Sequence, residues 1–331
     1  MKSGCGLQGL SRPRRRLDAP VPDMELIRGI HNLRERHRGC VATIGNYDGV
    51  HRGHQHMIAA VRAKARALGV PAVVVTFEPT PREFFEGPAA PSRLTRLREK
   101  LEALAEYGVD RVVVLRFDRR MQGLSADEFV ERLLVNGLGV RHMVVGHDFH
   151  FARRREGTIE TLRAAGATHG FTVEEVGRFL LDGERVSSSL VREALNEGNL
   201  DRATHLLGRP YRMAGRVRLG KKLGRTLGFP TANLALQRKV VPLWGIFAVR
   251  VSGAGLVDHP AVSSLGTRPT VNGTDPLLEV HLFDFDGSLY GQYLDVDFIA
   301  RLRDEQKFES LDALVAQMHR DAAAARALLG I

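Results

Sequence analysis

The chain is poor in cysteine and has no long apolar run, no internal repeat and no low-complexity segment. Cys5 and Cys40 are the only cysteines in 331 residues, too few for a disulfide framework and not spaced as a metal site, which points to a reducing compartment. No stretch approaches the ~20 consecutive apolar residues that a bilayer-spanning helix needs. The N-terminus carries no apolar segment of export type, so a cytoplasmic protein without a membrane role is expected. Acidic residues are missing from positions 1–16, where Lys2, Arg12, Arg14, Arg15 and Arg16 supply half of the formal net charge of +10. The excess over the rest of the chain is moderate. It suits a protein that handles nucleotide phosphates better than one that binds nucleic acid, and no nucleic-acid partner is expected.

What is present is ordinary globular composition, 44% hydrophobic and 26% charged, in a length that fits roughly two domains. From Met24 short buried strands alternate with helical patterns. Val41 to Ile44, Ala72 to Phe77, Arg111 to Phe117 and Met143 to Val145 read as strands, and His54 to Leu68, Leu94 to Tyr107 and Ala126 to Gly137 as helices. That order predicts an α/β, Rossmann-like domain with a parallel sheet and helices on both faces. After a helix from Leu190 to about Leu207, Gly208-Arg209-Pro210 breaks the pattern. Strand runs then follow without intervening helices, at Tyr211 to Arg218, Ile246 to Val251, Leu277 to Phe285 and Tyr293 to Ala300. They predict an antiparallel barrel, closed by a terminal helix capped by Ser310. The expected division is a basic, disordered extension over 1–23 and domains over 24–205 and 206–331.

The densest chemistry lies in the run Gly45 to His54, between a strand and a helix. Gly45 and Gly53 let the backbone approach a phosphate, the helix N-terminus offers unpaired N–H groups, and His51 and His54 add donors to an oxygen gaining charge. A second dense run, Gly220-Lys221-Lys222-Leu223-Gly224 leading to Pro230-Thr231-Ala232-Asn233, is glycine-rich and basic. It is no Walker A loop, because it neither ends in Gly-Lys-Ser/Thr nor opens a helix. It fits a flap that closes over ATP phosphates.

Four runs appear in the order known from one family: Gly45 to His54, Thr76-Phe77-Glu78-Pro79, Val144 to Phe149, and Arg185 to Arg192. Together they resemble the adenylyltransferase module of bacterial bifunctional riboflavin kinase/FAD synthetases. Pro230-Thr231-Ala232-Asn233 resembles the riboflavin kinase signature, and the likeness runs from about Met24 to the C-terminus. It implies two ATP-dependent steps, riboflavin to FMN and FMN to FAD with release of pyrophosphate, both with Mg²⁺. For adenylyl transfer it implies charge stabilisation by His51, His54, Arg185 and Arg192. Nucleotide contacts would come from Gly45, Asn46, Asp48, Gly53, Asp148, Ser187, Ser188 and Ser189, with the atoms that Asn46 and Asp148 touch left open between adenine, ribose and the flavin side. Phe77, Pro79 and Pro81 would border FMN.

In the barrel the resemblance implies ATP contacts at Gly220, Lys222 and Gly224, metal contacts at Thr231 and Asn233, flavin contacts at Arg301 and Arg303, and Glu279 as the base. Glu279 and His281 are expected to share one strand face. A phosphate nucleophile is already ionised and needs no base, whereas a neutral ribityl hydroxyl does. Two positions depart from the pattern. Thr80 replaces a common His, which predicts weaker FMN binding, and Ala152 replaces a common Gly, which requires φ < 0 there. A regulator that has lost one catalysis, and an adenylyltransferase for another phosphate ester, are the rival readings. A monomer or weak self-association is expected. Met24 to Gly29 resembles the usual family start, so residues 1–23 are expected to stem from an upstream start assignment.

Overall fold

The computed structural model describes residues 24–220, 227–270 and 273–331. The expected basic extension and its start-site reading lie outside them. Six strands form the first sheet: β1 Glu25–Arg28, β2 Cys40–Ile44, β3 Ala72–Phe77, β4 Arg111–Leu115, β5 Val140–Gly146 and β6 Thr172–Val176. All pairings are parallel, in the order β1-β4-β3-β2-β5-β6. The side-chain period of two sorts each strand between two faces. Val73, Val75, Val113 and Leu115 join Leu133, Leu134 and Leu162 on one face. On the other, Val74, Val112 and Val114 meet helix α3 (Leu97–Glu106), while Val41 and Val144 meet α1 (Arg52–Leu68).

The chain winds outward from β2 through β3 and β4 and then resumes on its other side at β5, so the strand order reverses between β2 and β5. Ligands of open α/β sheets sit at such a reversal, beyond the carboxyl ends of the strands. The helix expected over Ala126 to Gly137 is instead a short α-turn, Ala126–Phe129, running into a π-helical stretch over Val130–Val135. The single helix expected from Leu190 to Leu207 is two, α7 (Ser188–Asn196) and α8 (Leu200–Leu207), because Gly198 adopts φ 73° and the Asn199 side chain caps a new start.

Six antiparallel strands then close a barrel: β9 Tyr211–Arg218, β10 Ala232–Ala235, β11 Gly245–Gly253, β12 Leu256–Thr270, β13 Gly273–Leu282 and β14 Tyr293–Arg303. Along β11, Phe247, Val249 and Val251 fill the interior while Ile246 and Ala248 face outward against the terminal helix α9 (Leu311–Leu329), capped by Ser310 as expected. The interior cluster is continuous with Leu94 and with Val191, Leu195, Leu200 and Leu206 of α7 and α8, so one apolar core crosses the junction between sheet and barrel. No helix among the described residues is long and apolar enough to cross a membrane.

An ion pair pins this junction. Glu99 of α3 and Arg238, which follows β10, are both almost fully buried. Glu99 also accepts from Ala214 N at 3.0 Å, and Arg238 donates to Arg93 O at 3.2 Å and to Tyr211 Oη at 3.1 Å. Tyr211 in turn donates to Leu94 O at 3.0 Å. Removing one partner of a buried pair leaves the other charge without its counterion. Arg238→Met is therefore expected to cost about 3–5 kcal/mol in urea unfolding, and a loss below about 1 kcal/mol would show that the pair does not hold the junction.

Candidate active sites

The first site lies at the sheet reversal. The turn after β2 takes an unusual path, with Tyr47 at φ 49°, Gly49 at φ 82° and Val50 at φ 42°. A β-branched residue in this region is strained and persists only where its surroundings hold it. A Cβ on Gly49 would meet Leu94 Cδ1 at 2.7 Å, so the turn closes only with glycine there. Gly45 is packed by the buried Tyr47 ring, whose hydroxyl shares a 2.9 Å hydrogen bond with Thr43. Asp48 is buried and accepts from Leu94 N at 3.1 Å and Thr95 N at 3.0 Å, and it pairs with Arg192.

His51 caps α1, its Nδ1 accepting from His54 N at 3.3 Å. An imidazole that accepts at Nδ1 carries its proton on Nε2, which leaves one donor for a ligand. The two rings stack with centroids 3.7 Å apart. Burial is the main cause that lowers His51 to about 4, with Arg209, Arg185 and Arg192 adding to it and Asp48 opposing. Burial, then His51, Lys100 and Arg209, hold His54 well below its usual value. Both rings are therefore neutral at pH 7, and they offer hydrogen bonds in place of charge.

Around the turn, Asn46 is exposed, and its carbonyl accepts from Thr76 Oγ1 at 3.3 Å. Helix α7 begins at Ser188, two residues earlier than expected, with Ser187 as its cap. Ser188 Oγ donates to Asp48 O at 2.9 Å, and Ser189 is exposed. Asp148, after β5, gathers Arg185 at 2.6 Å and Arg178 at 3.0 Å, and these cations lower its pKa. Arg178 carried no local sequence signal. Neither did Lys100 of α3, which is 1% exposed with Nζ 3.5 Å from Thr76 Oγ1, nor Arg93, which pairs with Glu78 and Glu83.

Phe77 ends β3 and meets Phe117 edge-on, ring centroids 5.7 Å apart, with Phe84 and Phe85 on the same cluster. These three further rings border the same end of the sheet as Pro79 and Pro81. Phe84 and Phe85 belong to helix α2 (Pro81–Glu86), which Pro81 opens. The Thr80 hydroxyl caps that helix, accepting from Glu83 N at 3.4 Å. The expectation for Ala152 is overturned. Its φ is 63° with ψ −168°, a region that favours glycine, so its methyl carries backbone strain.

The second site is a cavity of about 490 Å³ on the outer wall of the barrel, roofed by Leu314 and Met318 of α9. Thr231, Asn233, Glu279, His281 and Arg303 line it. Register sets Glu279 opposite Asn233 on one side and opposite Ser264 on the other, which brings the predicted acid and the predicted metal contact together. His281 shares its face, as expected, and its Nδ1 lies 2.9 Å from Pro230 O. A Cβ on Gly220 would meet Asn233 Nδ2 at 2.6 Å, so the amide is held against this glycine. Lys222 and Gly224 lie outside the described residues.

Arg303 reaches the cavity and forks onto Asp321 of α9 at 2.6 and 2.9 Å. Arg301 does not line it. Across register shifts between β11 and β14, Arg301 lies against Gly198 and Asp304, so the two arginines expected at the flavin are not brought together in this cavity. No cluster of three His, Cys, Asp or Glu able to hold a metal occurs among the described residues. The donors present, a hydroxyl and an amide oxygen, instead suit a hard cation that keeps water and phosphate ligands.

Comparison with known proteins follows the same division. Residues 33–190 match the family model described as FAD synthetase, and residues 207–329 that described as riboflavin kinase. A protein of Pseudomonas fluorescens described as a bifunctional riboflavin kinase/FMN adenylyltransferase is 55% identical over 92% of this chain and 98% of its own length. One of Escherichia coli K12 with the same description is 48% identical over 93% and 99%. A crystal structure described as a macrolide-efflux protein from Streptococcus pneumoniae superposes with a TM-score of 0.80 at 30% identity, covering 92% of this chain and 99% of that one.

The lowered His51 pKa sets a pH dependence of stability. Between about 4 and the ordinary 6.5 the unfolded chain binds a proton at His51 that the folded chain does not. Stability is therefore full above about pH 6.5 and falls as pH drops toward 4, by up to about 3 kcal/mol from this group. His51→Asn keeps a capping acceptor and cannot titrate, so its decline is expected to be shallower. Urea unfolding at about pH 7 and about pH 4.5 that shows equal losses in both proteins would contradict this.

Proposed function

Because the chain belongs to the family of bifunctional riboflavin kinase/FMN adenylyltransferases, we propose that its two sites divide the work at the domain boundary of residues 205 and 206. The enzyme makes FMN from riboflavin and ATP, and FAD from FMN and ATP. We assign phosphorylation to the barrel cavity and adenylyl transfer to the turn at the sheet reversal. The observation that carries the assignment is the register of Glu279 against Asn233 on the wall of a cavity large enough for a flavin.

In the barrel, Glu279 takes the proton from the primary hydroxyl of riboflavin as its oxygen attacks the γ-phosphorus of ATP. Thr231 and Asn233 hold the nucleotide's divalent ion, here assigned as Mg²⁺, which neutralises charge on the phosphates. Leu314 and Met318 cover the ring system, and Arg303, fixed by Asp321, lies at the flavin side. Gly220, Lys222 and Gly224 are assigned to the ATP phosphates.

In the sheet domain, an FMN phosphate oxygen attacks the α-phosphorus of ATP, and pyrophosphate leaves. No base is needed. His51 and His54 donate to the transferring phosphoryl group from a turn already shaped to receive it. Gly45, Asn46, Gly53 and Ser189 border the nucleotide, Arg185 and Asp148 flank it, and Arg192 and Asp48 act by fixing the turn. Phe77, Pro79 and Pro81, joined by Phe117, border the flavin. Riboflavin, FMN, FAD and ATP are the partners, and the cytoplasm is the compartment proposed for both steps.

With riboflavin, ATP and Mg²⁺ present, chromatography is expected to show FMN and then FAD. Glu279→Ala should lower FMN formation at least about 100-fold while leaving added FMN convertible to FAD, and His54→Ala should do the reverse. Undiminished FMN formation by Glu279→Ala would remove it as the base.

A further inference from the structure

The segment Gly208-Arg209-Pro210 joins α8 to the barrel, and its arginine turns back into the sheet domain. Arg209 Nη2 donates to Gly49 O at 2.9 Å, and Nη1 donates to Val50 O at 3.2 Å and to Leu207 O at 3.3 Å. Gln55 of α1 closes the same knot, its Nε2 donating to Val50 O at 2.8 Å and to Leu207 O at 2.7 Å. Other interior arginines behave differently. Arg212 forks onto the carboxylate of Asp297 and Arg238 meets that of Glu99 through Nη2, whereas the hydrogen bonds of Arg209 to Gly49, Val50 and Leu207 all go to main-chain carbonyls.

That turn is the strained one. Gly49 and Val50 both have positive φ, and the next residue is His51. Strained backbone of this kind lasts only while outside contacts over-determine it. A guanidinium is suited to the task because its rigid planar fork engages two successive carbonyls with little loss of freedom, whereas an ammonium on a flexible stem is not pre-organised to do so. The cation also faces the imidazoles. His51 is met by Asp48 of its own turn, Arg209 of the joint, Arg185 of β8 (Glu184–Arg185) and Arg192 of α7, and His54 by His51, by Lys100 of α3 and by Arg209.

We propose that Arg209 is a positioning residue for adenylyl transfer: from the joint between the domains it clamps the Gly49 and Val50 carbonyls and so holds His51 and His54 in register. The inference rests on the reading of that turn as the transfer site. Its physical content is that the barrel side of the chain completes the geometry of the sheet-domain site. The kinase cavity contains no part of this knot, so riboflavin phosphorylation in the same molecule reports whether the protein is folded.

The test compares Arg209→Gln and Arg209→Lys with His54→Ala, measuring both reactions across pH. Arg209→Gln is expected to lower kcat for FMN adenylylation at least about tenfold while riboflavin phosphorylation stays within about twofold. Its acid limb should move to higher pH, because without the cation His51 protonates more readily and a protonated Nδ1 cannot accept from His54 N. Arg209→Lys should keep the acid limb and recover only part of the rate. The proposal is overturned if Arg209→Gln adenylylates FMN normally while His54→Ala does not, if both reactions fall in parallel in both Arg209 variants, or if the acid limb does not move in Arg209→Gln. If His54→Ala itself adenylylates FMN normally, the reading of the turn fails first and takes this proposal with it.

Discussion

One buried carboxylate organises the sheet-domain site. Asp48 sits in the turn after β2, yet its hydrogen bonds reach the backbone of Leu94 and Thr95 and the guanidinium of Arg192. Three chain segments that are distant in sequence are thereby tied at one point. From Leu94 the ties continue through Tyr211 and Arg238 to the barrel. A carboxylate with backbone and guanidinium donors around it is stable inside a protein, and the loss of any one donor is felt by the others. The position of the stacked histidines follows from this arrangement together with the glycine that lets the turn close.

The two reactions ask for opposite treatments of charge, and the two sites differ accordingly. A phosphate nucleophile arrives ionised, and in the proposed site it would meet two imidazoles held neutral chiefly by burial, with the proton of His51 directed to Nε2 by its Nδ1 cap. A neutral hydroxyl needs an acid residue, and Glu279 stands on the barrel wall between Asn233 and Ser264. The barrel interior is filled by Phe247, Leu265, Leu278 and Val280, so the cavity that carries the proposed kinase chemistry lies on the outer wall beneath α9.

Much of this was legible in the sequence because it is local. The strand, glycine turn and helix around Gly45 to His54 announce their geometry within ten residues, and the Ser310 cap and alternation along β13 do likewise. What escaped is either weakly patterned or long-range. Strand β1 buries only Ile27 and has no alternation to detect. Strand β10 lies within a run whose chemistry drew the reading away from its conformation. The break between α7 and α8 was written in Gly198 and Asn199 but lay inside a continuous apolar periodicity. Arg178, Arg93, Lys100 and Arg238 take their meaning from partners that only the folded chain brings near. Arg301 and Arg303 entered together through the family resemblance, and only Arg303 lines the cavity, while Arg301 lies against Gly198 and Asp304 across two register shifts between β11 and β14.

The apolar core that runs without a seam from α7 and α8 into the barrel has a consequence for inheritance. Two activities that share one packed core are coupled through it, because a packing lesion in that core lowers the folded population that serves both. Substitutions that tune one reaction alone are therefore expected at the cavity wall, at the turn and at the joint that clamps it, and not in the shared apolar interior.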